Sequence, residues 1–168
     1  MIVALTGFMM CGKTTYGRAV AQHLGWRFID LDDCIEEGVA PGEIIRTKGE
    51  NLFRREETAA LGRVLQCKSD CILALGGGTP SREENRTLLR ENCRVIWLKA
   101  SLEESVFNPD WADLISLRPL LAGGDRARIE ALWQSRIPVY EAMADYTIVT
   151  DGKSADTIIN EIVSVCRL

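Results

Sequence analysis

Short apolar runs and stretches of helical period alternate along this chain. Residues 2–5, 26–32, 71–75, 95–98 and 146–149 are mainly apolar runs, each followed by a longer segment in which apolar positions recur at helical spacing. Runs without polar alternation belong to strands covered on both faces. Their regular exchange with helices predicts an α/β fold with a doubly wound, five-stranded parallel sheet flanked by helices. Helices are expected at 13–24, closed by Gly25, at 35–48 with interruptions at Gly38 and Pro41-Gly42, and from Glu50 to about Gln66. Ser81 with Glu84 makes a capping-box pattern for a helix through Arg90, and Ser101 with Glu104 caps the next. Helical period returns from Asp125 to about Met143, where Pro138 marks a break or a first-turn position, and from Ala155 to Cys166. Between them, 108–124 holds Pro, Asp, Trp and Gly-Gly without period, the pattern of a functional lid or a disordered segment. No repeat or second domain interrupts this order. Residues 1–168 read as one domain, of a size that buries about 70% of its unfolded surface.

In such sheets ligands sit beyond the carboxyl ends of the strands, and three signals fall there. The first is Gly7-Phe8-Met9-Met10-Cys11-Gly12-Lys13-Thr14, a G-x-x-x-x-G-K-[ST] loop between a strand and a helix. Its glycines let the backbone wind around phosphate oxygens with N–H groups pointing inward, and the following helix adds the positive end of its dipole. Gly7, Met10, Cys11, Gly12, Lys13, Thr14 and Thr15 are therefore candidate nucleotide-binding residues. Lys13 is expected to reach the β- and γ-phosphates and the Thr14 hydroxyl to ligate Mg²⁺. The bland alternative, a glycine-rich turn that happens to carry a lysine, rarely meets every fixed position between a strand and a helix. The second signal is Asp30 and Asp32, which strand alternation projects to one side at the end of the second strand. The third is Gly76-Gly77-Gly78, ending the third strand.

Composition narrows the partners. A formal net charge of −4 argues against a polyanion-binding surface, so phosphate binding must be local. Met1 is followed almost at once by strand residues, leaving no room for a signal peptide, and no apolar run reaches the ~18 residues of a membrane span. The cytoplasm is the expected compartment, and monomer the default. Six cysteines without a C-x-x-C read as small hydrophobes rather than a metal or disulfide framework. Cys11, beside Lys13, is the one placed for a depressed pKa and oxidation. No N-K-x-D or D-x-x-G supports a GTPase, and the lone His23 with no H-R-D or D-F-G excludes a protein kinase.

At Asp30-Leu31-Asp32, Phe53-Arg54-Arg55, Gly76-Gly77-Gly78, Arg118-Pro119-Leu120-Leu121 and Arg136-Ile137-Pro138-Val139-Tyr140, in that order after the phosphate loop, the chain resembles the shikimate kinases. The resemblance spans Gly7 to Tyr140. It implies a sheet of order 2-3-1-4-5 and transfer of the ATP γ-phosphate, with Mg²⁺, to the 3-hydroxyl of shikimate in aromatic amino-acid synthesis. Shikimate carries one carboxylate and three hydroxyls. The resemblance implies that Arg54 and Arg136 clamp the carboxylate while Gly76, Gly77 and Gly78 let the backbone approach the hydroxyls. Asp32 would orient those hydroxyls and act as general base, Asp30 would hold Mg²⁺ through water, and Arg118 would close with the lid over the phosphates. Lys13, Asp32 and Arg118 form the implied catalytic set. The chain departs from the family's Arg-Thr at the start of the lid, where Phe107-Asn108-Pro109-Asp110-Trp111 stands instead. Adenine contact then falls to other groups, with Trp111 and Asp151-Gly152-Lys153-Ser154 as candidates.

Spacing alone leaves alternatives open. Arg54, beside Arg55, Glu56 and Glu57, also fits a solvated helix face; Asp32 also fits a helix N-cap; Arg118 also fits a surface arginine. Two rival functions remain on sequence grounds: another small-metabolite kinase of gluconate or nucleoside-monophosphate type, and a non-catalytic nucleotide-binding regulator. The acceptor residues suit a polyhydroxylated acid better than a nucleobase, and a regulator would be expected to lose Asp30, Asp32 or Arg118, all of which are present. The expected partners are ATP and shikimate, without nucleic acid or membrane.

Overall fold

The computed structural model describes residues 1–35, 41–111 and 125–168. Five strands, β1 (Ile2–Thr6), β2 (Arg27–Asp30), β3 (Cys71–Ala74), β4 (Arg94–Lys99) and β5 (Tyr146–Val149), form one sheet. Its order is β2-β3-β1-β4-β5, as the family resemblance implies, and every neighbouring pair is parallel. β1 takes the centre because each of its five residues is buried, whereas β2 and β5 at the edges keep exposed positions. Among the described residues the helices are α1 (Lys13–Leu24), α2 (Pro41–Lys48), α3 (Glu50–Val64), α4 (Glu83–Asn92), α5 (Arg126–Met143) and α6 (Ala155–Cys166).

The period-two alternation of strand side chains divides the core. Val3 and Leu5 pack with Val20 and Ala21 of α1 and with Ile158 and Ile162 of α6 on one face. Ile2 and Ala4 pack with Ala60 and Leu61 of α3, Leu89 of α4 and Met143 of α5 on the other. α1 lies close enough to the sheet that a Cβ at Gly17 would fall 2.7 Å from the Phe28 ring. A third cluster, with Phe8, Met9, Trp97, Leu102 and Tyr140, supports the loops at the carboxyl end of the sheet. Among the described residues no helix is long and apolar enough to cross a membrane.

Several local expectations are corrected. β2 ends at Asp30, and Asp32 opens a 3-10 turn, Asp32–Cys34, so strand alternation does not govern the pair. Leu31, not Asp32, is the N-cap of that turn, and no side chain caps it. Ser81 caps no helix: it ends the 3-10 turn Thr79–Ser81, and α4 starts at Glu83 with Arg82 as N-cap. Pro80 inside that turn shifts the helix start by fixing the backbone first. Glu104 N–H does donate to Ser101 Oγ at 3.2 Å, but turns rather than a regular helix occupy 102–107. Pro138 neither breaks nor starts a helix. It lies inside α5, whose buried Arg136, Tyr140 and Met143 hold the helix against the sheet through the one missing N–H. Of the helix expected at 35–48, α2 forms the end from Pro41, and residues 36–40 lie outside the described ones.

Candidate active site

Between β1 and α1 the chain turns through three residues with positive φ: Gly7 at 145°, Met10 at 63° and Gly12 at 90°. Met10 is the single non-glycine in that state among the described residues. Gly7 has no room for a side chain, since a Cβ would lie 2.6 Å from the Leu98 carbonyl oxygen of β4 and 2.8 Å from Cys11 Sγ. The loop is thereby seated on the central strands, with the N-terminus of α1 directly after it. Lys13 folds back across it, its ammonium donating to the carbonyls of Gly7 at 2.9 Å and Phe8 at 2.7 Å and reaching Cys11 Sγ at 3.7 Å. Cys11 is buried and, like the other five cysteines, a free thiol. Thr14 and Thr15 are exposed in the first turn of α1. The Thr14 hydroxyl donates to Asp30 Oδ2 at 2.8 Å, while Asp30 Oδ1 accepts the Asp32 backbone N–H at 3.2 Å. One carboxylate therefore joins the phosphate loop to the turn that carries Asp32.

The triple glycine after β3 is the meeting point of the other predicted residues, because each absent side chain leaves room for a different group. A Cβ at Gly76 would lie 3.0 Å from Asp32 Oδ1, 3.0 Å from Thr79 Oγ1 and 3.1 Å from Glu57 Oε1. At Gly77 it would lie 3.3 Å from Arg136 Nη1 and 3.4 Å from the Gly7 carbonyl oxygen. At Gly78 it would meet Arg54 Nη2 at 2.6 Å. Asp32, Arg54 and Arg136, more than 100 residues apart at the extremes, thus converge on three consecutive glycines beside the phosphate loop.

Arg136 is 9% exposed and lies over the Phe8 ring at 5.6 Å. One helical turn further along α5, the Tyr140 hydroxyl donates to the Gly77 carbonyl at 2.6 Å. Burial pushes the Tyr140 phenol well above its ordinary value, with the Arg136 charge opposing, so it remains a hydrogen-bond donor. Arg54 is not a solvated surface residue. Its Nη1 pairs with Glu57 Oε2 at 3.0 Å, and Glu57 is 1% exposed. The other Glu57 oxygen accepts the Thr79 hydroxyl at 2.7 Å. Glu57 and Thr79 were absent from the sequence-predicted set. The signal for Glu57 is helical period, because Phe53, Glu57, Ala60 and Leu61 are the buried face of α3 and a glutamate on that face needs a cation.

On the other side of the loop, Met10, Cys11, Tyr16, Asn108, Gly152 and Lys153 line a hollow of about 160 Å³. The Asp151 carboxylate accepts the Ser101 N–H at 3.0 and 3.2 Å and so binds the segment after β5 to the segment after β4. Gly152 and Lys153, expected as adenine contacts, therefore lie beside the loop of Met10 and Cys11. Arg118 and the Trp111 side chain lie outside the described residues.

A family profile described as shikimate kinase matches residues 9–167. The chain belongs to the shikimate kinase family. The curated shikimate kinase of Marinomonas sp. (strain MWYL1) is 38% identical over 98% of this chain and 91% of its own length. That of Persephonella marina is 41% identical over 98% of both. Among solved structures, shikimate kinase from Acinetobacter baumannii in complex with shikimate superposes with a TM-score of 0.81 at 29% identity, over 99% of this chain and 92% of that one. A gluconokinase from Sinorhizobium meliloti, at 19% identity and a TM-score of 0.61, shares the fold alone. Family and fold agree with the resemblance first carried by the glycines, arginines and aspartates.

Proposed function

We propose that this chain is a shikimate kinase, transferring the γ-phosphoryl group of ATP to the 3-hydroxyl of shikimate to give shikimate 3-phosphate and ADP in aromatic amino-acid synthesis. The observation that carries this reading is the convergence of Asp32, Arg54 and Arg136 on Gly76, Gly77 and Gly78, with Gly77 beside the Gly7 carbonyl. Two guanidiniums suit one carboxylate, each charge-assisted bond contributing about 1.5–3 kcal/mol. The carboxylate of Asp32 suits the hydroxyls, and the neighbouring phosphate loop suits the donor.

In the reaction an oxygen–phosphorus bond forms at the acceptor hydroxyl as the bond between the γ-phosphorus and the β,γ-bridging oxygen breaks. The hydroxyl proton leaves to Asp32 or through it to water. Because such transition states are loose, positioning and charge stabilisation outweigh base strength, and Asp32 acts chiefly by orienting the hydroxyl. Lys13, Gly7, Met10, Cys11, Gly12 and Thr15 hold the phosphates, and Lys13 neutralises charge developing on them. Arg118 has the charge-neutralising role that the family resemblance implies. Thr14 and Asp30 offer the hard oxygen donors that Mg²⁺ takes, and no group of three or more His, Cys, Asp or Glu among the described residues makes a protein-only cage. That fits an ion that arrives with the nucleotide, where it neutralises phosphate charge. Residues 1–168 act as one shikimate-kinase-like domain with a lid at about 108–124, working as a cytoplasmic monomer on ATP and shikimate.

The deciding assay is ADP release with Mg-ATP and no acceptor, shikimate, gluconate or AMP. Shikimate-dependent release is expected. Turnover with gluconate or AMP would discard the acceptor assignment, and nucleotide binding without turnover on any acceptor would replace the enzyme with a nucleotide-dependent regulator.

A further inference from the structure

Asn85 of α4 is a fully buried polar side chain, at 0% exposure, with no contact to the phosphate loop among its hydrogen bonds. Its Nδ2 donates to the Thr79 carbonyl at 2.9 Å, and among the described residues its Oδ1 has no partner. The orientation of the amide is settled by chemistry, since a carbonyl can only accept. An unmet buried acceptor destabilises a fold, and a leucine of similar size would avoid that cost. The polar group is therefore explained by what its donor holds.

It holds Thr79 by one end while Glu57 holds it by the other. Thr79 is 0% exposed; its hydroxyl donates to Glu57 Oε1 at 2.7 Å, and Glu57 Oε2 accepts Arg54 Nη1 at 3.0 Å. Thr79 N–H also closes the turn on the Gly76 carbonyl at 3.0 Å. The outer part of the same turn has an independent anchor, because Arg86 donates to the carbonyls of Pro80 at 2.8 Å and Ser81 at 3.0 Å. Removing the Asn85 amide thus loosens Thr79 specifically and leaves the rest of the turn tied to α4.

We propose that Asn85 is a positioning residue for the acceptor: through Thr79 and Glu57 it sets the direction of the Arg54 guanidinium beside Gly78. The proposal rests on the assignment of Arg54 to the acceptor carboxylate. It acts on ground-state placement of that carboxylate and not on the phosphate loop, so its effect falls on one substrate.

The test uses Asn85→Ala, with Arg86→Ala as the control on the same turn and Thr79→Val as a second, nearly isosteric break in the relay. In Asn85→Ala and Thr79→Val the KM for shikimate is expected to rise about tenfold, the loss of one hydrogen bond's orientation, with the KM for ATP within twofold of the parent. Arg86→Ala is expected to lower thermal stability without that split. Equal changes in both KM values, or none in either folded variant, overturn the proposal. Should Asn85→Ala fail to fold, Asn85→Leu, of similar size and without the donor to the Thr79 carbonyl, decides in its place. Amide exchange at Thr79, measured without substrates, separates the two levels of inference. Faster exchange in Asn85→Ala supports positioning even if the parent enzyme turns over another acceptor, whereas unchanged exchange overturns it even if shikimate is the acceptor.

Discussion

Replacing Glu57 by Gln is the most informative single perturbation of the acceptor side. Glu57 is 1% exposed and accepts from two donors, Arg54 Nη1 at 3.0 Å and the Thr79 hydroxyl at 2.7 Å. At ~3 Å and an effective dielectric of ~20, the Arg54 attraction is about 5 kcal/mol before desolvation is subtracted. Breaking a buried pair from one side costs about 3–5 kcal/mol net. Arg54 keeps 18% of its side chain exposed and has a second carboxylate, Glu50, at 3.5 Å, which puts this case at the lower end. Glutamine keeps one oxygen for Arg54 and can donate its NH₂ to the Thr79 hydroxyl, which also accepts, so the chief loss is the charge opposite Arg54. A loss of about 3 kcal/mol corresponds to a fall in Tm of about 6–12 °C for a chain of this size. The assay is thermal unfolding followed by circular dichroism at neutral pH, with Glu56→Gln, an exposed neighbour on the same helix, as reference. The reference should stay within about 0.5 kcal/mol of the parent. A Glu57→Gln protein that melts with the Glu56→Gln protein would refute the buried ion-pair reasoning.

Lys13→Ala is expected to reduce kcat by about 10²–10³ or more while the protein remains folded, checked by ADP release and circular dichroism. Gly78→Ala places a methyl 2.6 Å from Arg54 Nη2 and displaces the guanidinium from Glu57; the KM for shikimate should rise about tenfold with little change for ATP. At alkaline pH the Cys93 thiol, pushed up from 9.0 to about 12 by burial first and then by Cys71 and Asp145, stays protonated in the fold while the unfolded thiol ionises. The stability it contributes is complete below pH 9 and is lost as pH rises from 9 towards 12, at about 1.4 kcal/mol per pH unit. Urea midpoints for Cys93→Ala should show a shallower decline across that window than the parent, and parallel curves would exclude this thiol as the cause.

What the sequence disclosed and what it withheld divide along the distance between partners. The strands were legible because Ile2, Val3, Ala4 and Leu5 are apolar in succession, and the phosphate loop because all its determinants lie within eight residues. Asp30, Arg54 and Arg136 are singled out by motif order, yet their surroundings are not legible from it. Glu57 sits in a run of charges that suggests solvent, and its hidden partner Thr79 is 22 residues away. Tyr140 and Gly77 are 63 apart, and no local pattern announces that pairing. Local rules also misled where a neighbour outweighed them. Pro80 displaced the capping box at Ser81, and the packing of Arg136 and Tyr140 carried α5 through Pro138.

The bond from Tyr140 to Gly77 also sets an order of assembly. β1 has both of its sheet neighbours, β3 and β4, once Lys99 has been made, and the phosphate loop is then complete in sequence. Gly77 must wait for Arg136 and Tyr140, which a ribosome adds some forty residues later. As the chain emerges, the phosphate loop is finished before the acceptor half, and the segment after β5 that lies beside that loop comes last of all. A nascent chain paused before α5 carries the phosphate loop without the second arginine of the proposed clamp, and the capacity to transfer phosphate to an acceptor arrives with the last third of translation.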